Sequence, residues 1–184
     1  MTITKKLKDK KCKVCSVLFT PLRPLQACCT WECANLYAKE LNEKKEKKDW
    51  QKRKAKMKSD IMTLSDWLKI AQQHFNTFIR NRDKDKGCIS CGKELRKGNT
   101  DAGHYFSSGG HYNVRFNEDN VHGQCSRPCN KDKSGDLINY RKGLINRIGL
   151  ERLEYLESIA NETRKFNIQE VKELINFYKN KIKK

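Results

Sequence analysis

Gly87-Cys88-Ile89-Ser90-Cys91-Gly92 is answered, past Asp101-Ala102-Gly103-His104, by Asn120-Val121-His122-Gly123-Gln124-Cys125-Ser126-Arg127-Pro128-Cys129-Asn130, and these three stretches decide the fold. Two close pairs of cysteines have the number and softness to bind zinc tetrahedrally through four thiolates, leaving no coordination position for a substrate. Such a zinc is a staple. It pins the start of a β-hairpin to the start of the helix that follows, and brings residues between the two pairs near those just after Cys129. Asp101, His104, Asn120 and Asn130 are therefore expected to meet, although no structural zinc requires them.

Outward from this centre the chain reads as helical. Thr100 to Gln124 holds two short runs, Ala102 to Phe106 and Val114 to Phe116, on either side of Gly109-Gly110, which predicts a loose hairpin. Upstream, Leu64, Trp67, Leu68, Ala71, Phe75, Phe78 and Ile79 recur at the i, i+3, i+4, i+7 spacing of a packed helix face starting near Ser65. His74 beside that stripe is assigned no role. Downstream, Leu137, Tyr140, Leu144, Ile145 and Ile148 predict a helix that Gly149 breaks, and Leu150 to Ile159 a short one after it. A last helix starts at Asn167, with Glu170 three residues on and Val171, Leu174, Ile175 and Tyr178 on its buried side.

A second quartet lies near the N-terminus, behind a lysine-rich arm: Cys12-Lys13-Val14-Cys15, then Cys28, Cys29 and Cys33. Cys12, Cys15, Cys29 and Cys33 are the expected zinc ligands, since positions 29 and 33 share a face if a helix begins there. Cys28 replaces Cys29 if the turn is shaped differently, and spacing alone leaves both open. From Ala34 to about Ser59 no Gly or Pro interrupts a strongly basic helix, in which Glu40 to Lys44, Glu43 to Lys47 and Asp49 to Arg53 are favourable pairs. The expected organisation is an N-terminal zinc knuckle at 1–36, a basic helical linker at 37–62, and a domain at 63–184 that is mainly α around a small ββα-metal centre.

Composition narrows the function. The net charge of +18 attracts polyanions and makes nucleic acid the leading partner. The basic helix lacks the broad apolar face of a membrane-surface helix, and no apolar run approaches the ~20 residues that cross a bilayer. Nine cysteines, an odd number, without an apolar signal region read as reduced thiols in a soluble, cytoplasmic protein.

The four residues inside the second quartet match the needs of phosphodiester hydrolysis, which takes a base to activate water and a cation to stabilise developing charge. His104 suits the base at neutral pH. Asp101 and Asn130 offer the hard oxygens that Mg²⁺ or Mn²⁺ accepts, and Asn120 can brace the loop or orient His104. Arg127, Lys131 and Lys133 are placed to hold phosphates, and Arg115 to touch the DNA backbone. In the alternative arrangement His104 binds the metal and His122 or His111 stands nearer the base position.

These segments resemble an HNH, or ββα-metal, nuclease site, although Ala102 and Gly103 separate Asp101 from the histidine that an acidic ligand usually precedes. Across nearly the whole chain the sequence resembles the phage NinG (Rap) recombination proteins. The resemblance rests on Cys12-Lys13-Val14-Cys15, Trp31-Glu32-Cys33, Phe78-Ile79-Arg80-Asn81-Arg82-Asp83, Cys88-Ile89-Ser90-Cys91-Gly92 and Asp101-Ala102-Gly103-His104-Tyr105. Arg115-Phe116-Asn117-Glu118, Asn120-Val121-His122 and Lys133-Ser134-Gly135 extend it. It implies a structure-specific endonuclease acting on branched recombination DNA, a Holliday junction or D-loop, in the host cytoplasm. Branched substrates make a homodimer attractive. Competing expectations are a non-catalytic zinc-stapled DNA- or RNA-binding protein and an adaptor for host recombination proteins.

Overall fold

The computed structural model describes residues 7–183; the arm at residues 1–6 lies outside them. The chain divides into two units, Met1–Ile61 and Met62–Lys184.

In the first unit, β1 (Lys10–Lys11) and β2 (Leu18–Phe19) pair antiparallel around the Cys12–Cys15 knuckle. Cys12 N–H donates to Val17 O and Ser16 N–H to Cys12 O, closing the turn. Gln26 ties the next loop, accepting from Leu22 N–H and donating to Cys28 O. The helix α1 spans Trp31–Asp60 and starts earlier than Ala34, because the Thr30 hydroxyl caps it by accepting from Cys33 N–H. None of its residues is buried, so it is held by propensity and surface pairs alone. Of the three expected pairs, Glu40–Lys44 is closed among the described residues.

The second unit is built on α2 (Leu64–Asp83), whose first turn carries a reciprocal capping box between Thr63 and Asp66. Its stripe, Leu68, Ala71, Phe75 and Ile79, is buried against α5 (Ile168–Ile182) through Val171, Ile175 and Tyr178. Asn167 caps α5, accepting from Glu170 N–H at 2.8 Å, as its sequence signature predicts. Burying each of these large apolar side chains stabilises the fold by about 1.5–3 kcal/mol.

Across α2 lies the two-stranded sheet of β3 (Thr100–His104) and β4 (Val121–Cys125), antiparallel with Asp101 opposite Gln124 and His104 opposite Val121. The second arm of the hairpin is therefore not Val114 to Phe116. Val114 instead ends a 3-10 turn, Tyr112–Val114, and is taken into a separate apolar cluster with Leu156 and Ala160. After the cysteine turn come α3 (Leu137–Ile148) and α4 (Leu150–Ile159), separated at Gly149. Tyr140 and Leu144 of α3, Leu153 of α4 and Ile89 of the knuckle form one buried cluster, while Leu137 remains half exposed.

Two close approaches require glycine. A Cβ on Gly143 of α3 would stand 1.9 Å from Ile89 O, and one on Gly103 would stand 2.2 Å from the Gln124 side chain. The first lets α3 lie directly against the knuckle, and the second lets Gln124 cross β3.

Candidate metal centres and the site beside the hairpin

The sulfurs of Cys12, Cys15, Cys29 and Cys33 lie within 4.8 Å of one another, as do those of Cys88, Cys91, Cys125 and Cys129. Cys15 and Cys29 Sγ are 3.4 Å apart, Cys29 and Cys33 3.9 Å, and Cys91 and Cys125 3.9 Å. Zinc–sulfur bonds near 2.3 Å would set tetrahedral edges of about 3.8 Å, so both quartets fit a zinc ion. Cys28 is buried but stands outside the first cluster.

The thiols themselves favour a cation. Backbone N–H groups of Val14 and Cys15 pull Cys12 down to about 5, whereas hydrogen bonding to Cys15 and burial push Cys29 up to about 12. Burial opposes ionisation of Cys88, but the N–H groups of Cys125, Cys91 and Ser90 outweigh it and hold that thiol below its ordinary value. Burial and the neighbouring Cys88 push Cys125 up to about 12. One thiolate is thus prepared in each quartet while Cys29 in the first and Cys125 in the second resist further charge, a conflict that a divalent ion would resolve.

The turn between Cys125 and Cys129 has one residue more than a C-x-x-C knuckle. Arg127 adopts extended dihedrals there (φ −128°, ψ 140°) before a cis bond to Pro128. Asn99 clamps this turn from the other side, accepting from Arg127 N–H at 3.1 Å and donating to Arg127 O at 3.2 Å. Asn130 emerges from it beside β3, and its Nδ2 donates to Asp101 Oδ2 at 2.9 Å. The remaining oxygens of this pair are hard donors side by side. Gln124, opposite Asp101 on the same strand face, is fully buried, and its Oε1 lacks a hydrogen-bond partner among the described residues. Carboxylate and amide oxygens such as those of Asp101 and Asn130 are donors that a divalent cation such as Mg²⁺ or Mn²⁺ accepts.

His104 stands apart from that pair. Residues three apart on a strand point to opposite faces, and its ring is turned toward α2. Arg115 Nε donates to Gln72 Oε1 at 3.0 Å, which leaves the Gln72 Nε2 facing His104 Nε2 at 3.3 Å. His104 Nε2 therefore accepts, and Nδ1–H donates to Ala102 O at 3.2 Å. Burial, with the Arg115 charge adding to it, holds this imidazole below the ordinary histidine value and keeps it neutral.

Asn120 is fully buried and braces the long loop. Its Oδ1 accepts from Phe106 N–H at 2.8 Å, and its Nδ2 donates to Phe106 O and Val114 O. It holds the loop rather than touching His104. His122 is committed on both ring nitrogens: Arg82 Nη2 lies 3.0 Å from Nδ1, and Nε2–H donates to Asp119 O at 3.1 Å. His111 Nδ1 lies 3.3 Å from Ala160 O, with its ring against Phe106. Arg115 is partly buried, packed over the Tyr112 and Phe116 rings. Arg127, Lys131 and Lys133 are exposed around Asn130.

A buried ionic network is invisible to sequence patterns. Asp83, fully buried at the end of α2, accepts two bonds of 2.8 Å from Arg82 and one of 2.9 Å from Gly123 N–H, with His122 and Arg147 close by. Burial disfavours its charge, but the adjacent His122 and the bonds from Arg82 and Gly123 N–H prevail and hold the carboxyl far below the usual carboxylate range. The network anchors β4 to the end of α2.

The architecture and the two quartets define a mainly helical protein carrying two candidate zinc centres. The chain belongs to the NinG family: residues 4–184 match the family described as Bacteriophage Lambda NinG protein. Protein ninG of Escherichia phage 933W is 39% identical over 192 residues, covering 95% of this chain and 92% of that one. Protein ninG of Escherichia phage lambda is 47% identical over 117 residues, covering 64% and 56%, and that of Salmonella phage P22 is 43% identical over the same length. No solved structure matches the chain. No helix among the described residues is long and apolar enough to cross a membrane.

Proposed function

We propose that this chain is a metal-dependent endonuclease of the HNH type that cleaves branched DNA in phage recombination. The observation that carries the proposal is the Asp101–Asn130 pair, joined at 2.9 Å between β3 and the second cysteine cluster. Structural zinc has no use for it.

In this mechanism Asp101 and Asn130 would hold Mg²⁺ or Mn²⁺, which would supply stabilisation of the negative charge developing on the phosphate. His104 is the base in this proposal, which requires its ring, on the opposite face of β3 from Asp101 and Asn130 in this structure, to turn toward the phosphate they hold. Its Nδ1–H bond to Ala102 O selects the tautomer with a lone pair on Nε2, and burial keeps that lone pair free of a proton at neutral pH. The Gln72 amide occupies the lone pair, so substrate and its water must displace that amide for the base to act. Asn120 keeps the loop beside His104 in place, and Arg127, Lys131 and Lys133 hold flanking phosphates with little sequence preference.

The Gln72–His104 bond also favours a second reading, a zinc-stapled DNA- or RNA-binding protein or recombination adaptor in which His104 is structural. Cleavage and binding of a labelled four-way junction and a linear duplex with Mg²⁺ or Mn²⁺ separate the two. The nuclease reading expects junction cleavage by the wild type, a loss of about 10²-fold or more in His104→Ala and Asn130→Ala, and binding retained in both. Binding without cleavage by the wild type selects the second reading. A host recombination protein and a second copy of the chain are the further partners in this proposal.

A further inference from the structure

A cleft of about 600 Å³ lies between the Cys88–Cys91 knuckle and one face of α3, and none of Asp101, His104, Asn120 or Asn130 lines it. Its existence follows from Gly143: with no side chain there, α3 rests on Ile89 O, and the residues one turn either way, Asn139 and Asn146, face the knuckle with Lys142. Lys86 and Arg147 complete the polar wall, and no Asp or Glu lines the cleft.

The cations differ in how they are held. Arg147 Nη2 donates to Lys86 O and Gly87 O at 3.1 Å, which fixes the guanidinium, and Lys86 Nζ lies 3.3 Å from the buried Asp83. Lys142 is exposed and takes part in no ion pair among the described residues. Arg147 and Lys86 both also face the Asp83 carboxylate, so the free charge of the cleft is the Lys142 ammonium, which the two amides flank, a set that suits an anion. The cleft is open to solvent beside a helix face, so a phosphodiester backbone can reach it.

We infer that this cleft binds the DNA backbone as a second phosphate track, separate from the Asp101–Asn130 centre, with Lys142 as its main contact and Asn146 beside it. The inference deepens the proposed function and rests on its DNA-binding part. A protein that engages a branch needs contacts with more than one arm, and a second track on the same rigid unit would supply them.

Binding of the full-length zinc-loaded protein to a duplex and a four-way junction, without divalent cation and across a salt series, tests this. Lys142→Ala should lower the slope of log affinity against log salt by roughly 0.9, the value for one lost phosphate contact. Lys142→Glu should weaken binding further, and Asn146→Ala should weaken it with the slope unchanged. Lys165→Ala, an exposed lysine on a different segment, should leave the slope in place. Unchanged slopes in both Lys142 variants overturn the inference. Displacement by inorganic phosphate at matched ionic strength, with the DNA slope unaffected, reassigns the cleft to a small anion and overturns it as well. Junction cleavage is followed in parallel: a wild type that binds with the Lys142 effect but does not cut sinks the nuclease alone, and one that cuts without the effect sinks the second track alone.

Discussion

The two cysteine quartets have the same ligands and do opposite work. In the first unit Cys12, Pro21 and Cys28 are the buried residues among those described, and α1 contributes none. A metal there replaces a hydrophobic core. In the second unit Phe75, Ile79, Tyr140, Leu144, Leu153 and Val171 are buried whether or not a metal is bound, and the quartet sets the register between hairpin and turn. The difference teaches that a four-thiolate site is a foundation where apolar surface is scarce and a positioning device where it is plentiful.

Chelation is the strongest way to break this comparison. Structural zinc contributes about 10–16 kcal/mol to small zinc-dependent folds, so metal removal should abolish the fold around Cys12–Cys33. Limited proteolysis should then cut that segment rapidly while α2 and α5 stay protected. Equal digestion of both units would erase the distinction.

The next largest effect should fall on the second unit alone. Asp83→Asn leaves the half-buried Arg82 and Arg147 without their carboxylate, at a cost of about 3 kcal/mol, the lower end for breaking a buried pair. Denaturant unfolding should show the loss in the second unit's transition, with zinc content at the first quartet unchanged.

A smaller effect sharpens the contrast by pH. All four histidines, His74, His104, His111 and His122, lie in the second unit. Burial lowers His104, next to Arg115, and His122, which faces Asp83, Arg82 and Arg147. The unfolded chain takes up protons near pH 6.5 that the folded unit refuses. Stability is therefore full above about pH 6.5 and falls as pH drops through that value toward the lower folded ones. Thermal melts should show this loss for the second unit.

The helices were legible because their signals are local: the α2 stripe, the Asn167 cap and the Gly149 break each lie within a few residues. The adjacency of Asp101 and Asn130 was legible too, since a zinc staple constrains distant positions. The second strand was not. In Val121-His122-Gly123-Gln124-Cys125 the alternate residues His122 and Gln124 are polar yet buried, met by Arg82 of α2 and by Gly135 O ahead of α3, so the segment lacks the polar, exposed face of an ordinary amphipathic strand. Val114 had the better strand pattern but a stronger apolar partner in α4. Gln72 and Asn99 escaped, and Arg115 was read as a backbone contact without its bond to Gln72, because a helix-surface amide, a loop asparagine and an arginine acquire these partners 28 or more positions away.

Gly143 carries a consequence for how this family can vary. A glycine inside a helix costs roughly 1 kcal/mol against alanine, so drift and stabilising design both push toward replacement. Yet the smallest replacement collides with a backbone carbonyl at 1.9 Å. In a saturation library the two demands leave position 143 a single-letter column amid tolerant helix neighbours, and any relative that reads otherwise there must have moved its knuckle first.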